Sequence, residues 1–124
     1  MKFVLAPTNA YWWPVTVTFP DPVNPGQVIQ QQLRLKFEPR DQEAERALQE
    51  RVAAIRDGVE QTKAEREMMV AVIKGWDDVE DRDGKAVPFS LENLDMALRQ
   101  TWFRRGVWVA YYESLSGEAA RLGN

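Results

Sequence analysis

Residues 15 to 19, VTVTF, alternate strictly, with Val15, Val17 and Phe19 on one face and Thr16 and Thr18 on the other. Period-two alternation predicts a half-buried strand. The Pro-rich stretch PDPVNPGQ follows, and Pro25-Gly26 suits the centre of a type II turn, because Pro presets φ and Gly accepts a positive value. From Val28 to Phe37 the alternation resumes, with Ile29, Leu33, Leu35 and Phe37 on one side and Gln30, Gln32, Arg34 and Lys36 opposite. The two runs predict an antiparallel hairpin. A two-stranded ribbon is marginal in water, so its apolar face must pack on helices or join further strands.

At Pro39 the period changes. Asp41 is placed to cap a helix whose first turn carries Glu43 and Glu45 against the positive end of the dipole. Ala44, Leu48, Val52 and Ile55 then recur at helical spacing. Asp57-Gly58 interrupts the pattern and marks either a cap or a bend, so one bent helix and two helices are both compatible. Helix resumes near Val59 or Glu60, gathers Met68, Met69, Val70, Val72 and Ile73, and is expected to end near Gly75.

The stretch from Lys74 to Leu94 is turn-rich and acidic. Trp76, Val79, Val87 and Phe89 bracket Asp83-Gly84, a strong signal for a tight turn, and Ser90 stands where its hydroxyl caps the next helix. A hairpin-like connector is expected. Leu91, Leu94, Ala97, Leu98 and Trp102 form the next apolar stripe, Arg104-Arg105-Gly106 suggests a bend, and Val107 to Leu115 is apolar on nearly every side. Gly117 is a candidate cap, and the tail that follows is expected to fray. The reading is an α+β fold, an N-terminal antiparallel hairpin or small sheet packed on a C-terminal bundle of three to four helices. Within one domain the divisions are 1–38 (β-rich), 39–74 (acidic helical), 75–90 (connector), 91–117 (helical pair) and 118–124 (tail).

Tyr11, Trp12 and Trp13 are three consecutive aromatics. Successive side chains of an extended segment point to opposite sides, so at least one is expected near solvent. They are read as a hydrophobic lid on the domain's own core or as a contact patch for another chain.

Composition narrows the function. With 124 residues, 44% of them hydrophobic, the chain supports one core. Sixteen basic against nineteen acidic residues give a net charge of −3, which disfavours nucleic acid and anionic membrane as partners. The absence of Cys and His removes disulfides, thiolate chemistry, the commonest general base and the commonest zinc ligand. With no long apolar run and no signal-peptide pattern, a soluble cytoplasmic protein is expected.

Candidate chemistry thins out on inspection. Asp81, Asp83 and Gly84 sit where a calcium loop has two ligands and its Gly, but that alignment puts Val79 at the first ligand and Ser90 at the twelfth. The carboxylates of Asp77, Asp78, Glu80, Asp81 and Asp83 lie in a stretch with no means of separating their pKa values for acid/base work. Arg99, Arg104 and Arg105 interleave with Trp102, Phe103 and Trp108, a mixture that suits single-stranded nucleic acid. Net charge and helical phasing favour an amphipathic helix instead, its arginine stems lying over apolar surface. No enzyme activity, cofactor or metal is expected.

The motif order K-G-W-D-D-V, D-x-D-G, V-P-F-S-x-E-N-L, then an aromatic A-Y-Y-E helix and a terminal Asn, resembles the tail assembly chaperones of long-tailed bacteriophages and prophages. The matching positions are Gly75, Trp76, Asp83, Gly84, Pro88, Phe89, Ser90, Asn93, Leu94, Ala110 and Tyr111. Where that family commonly carries a basic residue before the final Asn, this chain has Leu122-Gly123. The resemblance implies a non-catalytic protein of the bacterial host cytoplasm that coats the tape-measure protein and recruits tail-tube subunits, with weak homo-oligomerisation. The competing expectation is an adaptor or tail-completion component retained in the particle. On either, Tyr11, Trp12 and Trp13 and the exposed side of the strands are the expected partner surface, while Gly75 to Ser90 is structural.

Overall fold

The chain is described by a computed structural model covering residues 1–6 and 9–116. The two alternating runs form strands β1 (Tyr11–Pro20) and β2 (Val28–Phe37), antiparallel and in register from Tyr11 opposite Phe37 to Pro20 opposite Val28. β1 is longer than the VTVTF core of its pattern, because the three aromatics continue it at the N-terminal end. The turn forms as the sequence predicts: Gly26 sits at φ 82° and the Gln27 amide donates to the Asn24 carbonyl at 3.1 Å. Asp21 stiffens the loop by accepting from the amides of Val23 and Asn24. The Asn24 side chain, first, and these backbone amides hold its carboxyl below the ordinary value.

Helices α1 (Gln42–Ala53) and α2 (Gly58–Val72) are separate, each with an aspartate cap. Asp41 accepts from the Ala44 amide at 2.8 Å, and Asp57 from those of Val59 and Glu60 at 2.9 and 3.1 Å. Gly58 therefore begins a helix and does not bend one. The end of α2 corrects the expectation: the helix stops at Val72, and Ile73–Asp77 is a third strand, β3, paired antiparallel to β2. In the run from Val70 to Ile73 helical and strand periods are indistinguishable, and the open edge of β2 decides the outcome. The sheet order is β1-β2-β3, so the expected connector at residue 75 begins instead after Asp77.

Helix α3 (Leu91–Leu98) is capped by Ser90, whose Oγ accepts from the Asn93 amide at 3.0 Å. The chain breaks at Arg99-Gln100, and α4 (Thr101–Ser116) runs unbroken through Arg104, Arg105 and Gly106, where a bend was expected. Close packing is what Gly106 serves: a Cβ there would stand 2.6 Å from the Thr16 carbonyl oxygen. α4 thus lies backbone to backbone against β1. The expected cap at Gly117 and the tail fall outside the described residues.

Among the described residues the architecture is α+β, a three-stranded antiparallel sheet with four helices. Its core joins Val15, Val17, Leu33, Leu35 and Phe37 of the sheet to Met69, Val72, Leu94, Leu98, Val107 and Tyr111. The Phe37 and Tyr111 rings meet edge to face at 5.2 Å. Arg66 of α2 donates to Asp95 at 2.8 Å and fastens α2 to α3, and Arg99, at the end of α3 itself, donates to the same carboxylate at 3.1 Å. Partial burial pushes the Asp95 carboxyl up, and the two guanidinium bonds outweigh it, leaving a net lowering.

Candidate functional site

The register of β1 sorts the three aromatics. Tyr11 and Trp13 share the parity of Val15 and Val17 and pack on the core, their rings edge to face at 6.2 Å. The Tyr11 hydroxyl is also bound to Ser114 Oγ at 2.6 Å, closing the N-terminal end of β1 onto α4. Trp12 points the other way and is 49% exposed. The structure therefore separates the expected trio into two half-buried aromatics packed against the core and one surface indole.

Trp12 lies opposite Lys36, which lies opposite Gly75. The indole reaches across β2, so that a Cβ on Gly75 would sit 3.5 Å from Trp12 Cη2. The rest of this outer face is Pro14, Thr16, Thr18, Gln30, Gln32, Arg34 and Lys36, all but the half-buried Lys36 exposed. Arg34 is held by Asp77 and, at 3.6 Å, by Asp78. A large aromatic on a polar sheet face is a candidate anchor for another chain.

At the far end of β1 the sheet outruns its helices. Val17, Phe19, Leu33, Val79, Trp102 and Phe103 line an open cleft of about 370 Å³. Its rim carries Asp78 and Glu80. Trp102, 45% exposed, also borders a second cleft of about 410 Å³ between α4 and the outer face, with Thr16, Val28, Arg105 and Val109. The expected stripe from Leu91 to Trp102 does not exist as one face: the break at Arg99-Gln100 turns Trp102 out of the core that holds Leu94 and Leu98. Alternation and helical spacing give no warning of this, because where helices end against a sheet is not a local property.

The segment between β3 and α3 is self-contained. Asp81 Oδ1 accepts from the amides of Asp83 and Lys85 at 2.8 and 3.0 Å, and Gly84 takes φ 78°. Glu80 bridges Ala86, and the Val87 amide donates to the Val79 carbonyl at 2.8 Å. Trp76 Nε1 donates to the Val87 carbonyl at 2.8 Å while its ring meets Phe89 at 5.5 Å. Asn93 closes the far side through the Pro88 carbonyl at 3.0 Å. The calcium-like aspartate is thus committed to its own turn. Among the described residues no group of three or more His, Cys, Asp or Glu side chains is placed to hold a metal ion.

The remaining polar cluster joins α1 to α4. Arg40 pairs with Glu45 and donates to the Met68 carbonyl at 2.7 Å, and Glu45 accepts from the Tyr112 hydroxyl at 3.2 Å. Burial, then the Glu45 charge, raises the Tyr112 hydroxyl pKa. Trp108 stacks on Tyr112 at 4.9 Å, and Arg99 is engaged by Asp95 at the end of α3, so the Arg/Trp run from Arg99 to Trp108 is divided between the end of α3 and α4. Among the described residues no helix is long and apolar enough to cross a membrane. No protein-family model, curated protein or solved structure matches this chain, so its surfaces are the guide to what it does.

Proposed function

We propose that this protein is a non-catalytic tail assembly chaperone of a long-tailed bacteriophage or prophage, acting in the bacterial host cytoplasm to coat the tape-measure protein and recruit tail-tube subunits. The observation that carries the reading is the ordered segment Gly75, Trp76, Asp83, Gly84, Pro88, Phe89, Ser90, which resembles that family's motif. Its residues have structural work here: Gly84 makes the turn, Trp76 and Phe89 pin it, Ser90 caps α3, and Gly75 lies beneath Trp12.

The surface supports the role. A coat on a long helical polymer needs an acidic, soluble exterior and shallow aromatic contacts that repeat at modest affinity. Net charge is −3, and Trp12 stands on an open sheet face. Trp12 is the partner anchor of the original trio, whereas Tyr11 and Trp13 hold β1 in place beneath it.

Coexpression with the product of a neighbouring gene encoding a very long helical protein, followed by copurification, tests the reading. The complex is expected to form, and Trp12→Ala is expected to weaken it by about tenfold or more while leaving a cooperative melt. Failure of the unaltered chain to copurify with any such neighbour overturns the chaperone reading. Recovery of the protein from finished particles supports an adaptor or tail-completion component instead.

A further inference from the structure

The chain holds two Asp-Gly pairs, Asp57-Gly58 and Asp83-Gly84. An aspartyl side chain is able to close onto the amide nitrogen of the residue that follows it, and glycine, with no Cβ and wide backbone freedom, obstructs that closure least. By local sequence the two pairs are equal candidates. The fold treats them differently. Asp57 Oδ1 accepts from the amides of Val59 and Glu60 at 2.9 and 3.1 Å and so starts α2, whose far end is anchored by the buried Met68, Met69 and Val72. Swinging that carboxyl onto the Gly58 nitrogen uncaps a helix that the core holds in place. Asp83 is exposed, and its carboxylate makes no hydrogen bond or ion pair among the described residues. Its part in the turn is played by its backbone, the amide donating to Asp81 Oδ1 at 2.8 Å. Closure at this pair has a single turn bond to break, from the Gly84 amide to the Asp81 carbonyl at 3.1 Å. Neither glycine has an atom within 4 Å of its Cβ position, so crowding does not distinguish them.

We infer that Asp83-Gly84 is a site of spontaneous aspartate isomerisation, from which the helix cap protects Asp57-Gly58 in the folded chain. The Gly84 nitrogen attacks Cγ of the protonated Asp83 carboxyl. The N–Cγ bond forms, the Cγ–OH bond breaks, and the hydroxyl leaves with the amide proton as water, giving a cyclic imide. Water then adds to one of the imide carbonyls. Opening at Cγ restores aspartate. Opening at the former main-chain carbonyl breaks its bond to nitrogen, so that the backbone runs through Cβ and Cγ and a free carboxylate remains on Cα. The water released in closure balances the water consumed in opening, and no other reactant is needed. The product lengthens the main chain by one carbon inside a turn held by short-range bonds: Gly84 to the Asp81 carbonyl, Lys85 to Asp81 Oδ1, and the bridge from Glu80 to Ala86. Beyond that bridge stands the Val87 carbonyl that takes the Trp76 indole bond, so the brace around Trp76 loosens as the protein ages. The inference is independent of the chaperone reading, and failure of either leaves the other standing.

The test incubates the purified chain in warm neutral buffer, folded and in urea, and counts isoaspartate at each pair by peptide mass spectrometry. An isoaspartyl methyltransferase with a labelled methyl donor serves as the probe. In the folded chain the label is expected at Asp83, with at least about fivefold less at Asp57, the factor that loss of an aspartate cap represents. In urea, where no cap exists, the two pairs are expected to react at similar rates. Asp83→Glu, whose longer side chain closes such a ring far less readily, is expected to remove the signal at that position and leave the melt unchanged, because the carboxylate has no partner to lose. The aged unaltered chain is expected to exchange the Val87 amide faster than the fresh one, and aged Asp83→Glu is not. Absence of isoaspartate at Asp83 in the folded chain, under conditions where the urea-unfolded chain accumulates it, overturns the inference. So does equal accumulation at both pairs in the folded chain. A pair at Asp57 that stays quiet in urea as well overturns protection by the cap.

Discussion

Gly106→Ala tests the account of how α4 is seated on β1. By helix propensity alone the change is favourable, since Ala in a helix interior is about 1 kcal/mol better than Gly. The structure predicts the opposite sign. The new Cβ would stand 2.6 Å from the Thr16 carbonyl oxygen and 3.4 Å from Val17 Cα, and both are backbone atoms with no rotamer to change. Restoring ordinary contact requires α4 and β1 to separate by roughly 0.8 Å, a gap that forfeits a quarter to a half of each dispersion contact across it. The contacts at stake are those of Val107, Ala110 and Tyr111, all buried. Overpacking of this kind costs about 1–3 kcal/mol, so after the propensity gain a net loss of up to about 2 kcal/mol remains. In a chain of this size that lowers Tm by up to about 8 °C. Paired denaturant and thermal melts of Gly106→Ala and Gly58→Ala make the measurement, because Gly58 also opens into a helix yet has nothing within 4 Å of its Cβ position. Gly58→Ala is expected to be neutral or stabilising. Equal or greater stability of Gly106→Ala would refute the close approach of α4 to β1.

Further predictions concern single groups. Tyr111 is 1% exposed and its hydroxyl has no hydrogen-bond partner among the described residues, so Tyr111→Phe is expected to stabilise the fold by about 1 kcal/mol, read from the urea midpoint at unchanged m. Burial, then the Glu45 charge, pushes the Tyr111 pKa far above its ordinary value. Above about pH 10 the unfolded chain releases a phenolic proton that the folded chain keeps, so stability is full below that pH and falls by about 1.4 kcal/mol per unit above it. Tyr111→Phe should reduce that slope in alkaline melts; an unchanged slope would assign it to other groups. Trp76→Phe removes the indole donor to Val87 while keeping a ring against Phe89, and is expected to cost about 1 kcal/mol and to speed amide exchange at Val87, whose partner is Val79.

The local periods of the chain carry the strands β1 and β2, their turn, and the caps at Asp41, Asp57 and Ser90, because each depends on residues within a few positions. A positive φ at Gly26 or a hydroxyl beside a free amide needs no distant partner. Three outcomes came only from the tertiary structure. β3 exists because Ile73–Asp77 found the open edge of β2, although the run from Val70 reads equally as helix. The fate of Tyr11, Trp12 and Trp13 follows from extension of β1 through them, and which parity faces inward is decided by α4 and the core. Gly106 reads as a bend in one dimension and is a contact in three, since only the approach of Thr16 reveals why a side chain cannot stand there. The same holds for the surfaces of interest: spacing identifies aromatics, but which parity of β1 faces α4 and the core leaves Trp12 exposed and Tyr11 and Trp13 half-buried, and the break before α4 leaves Trp102 exposed.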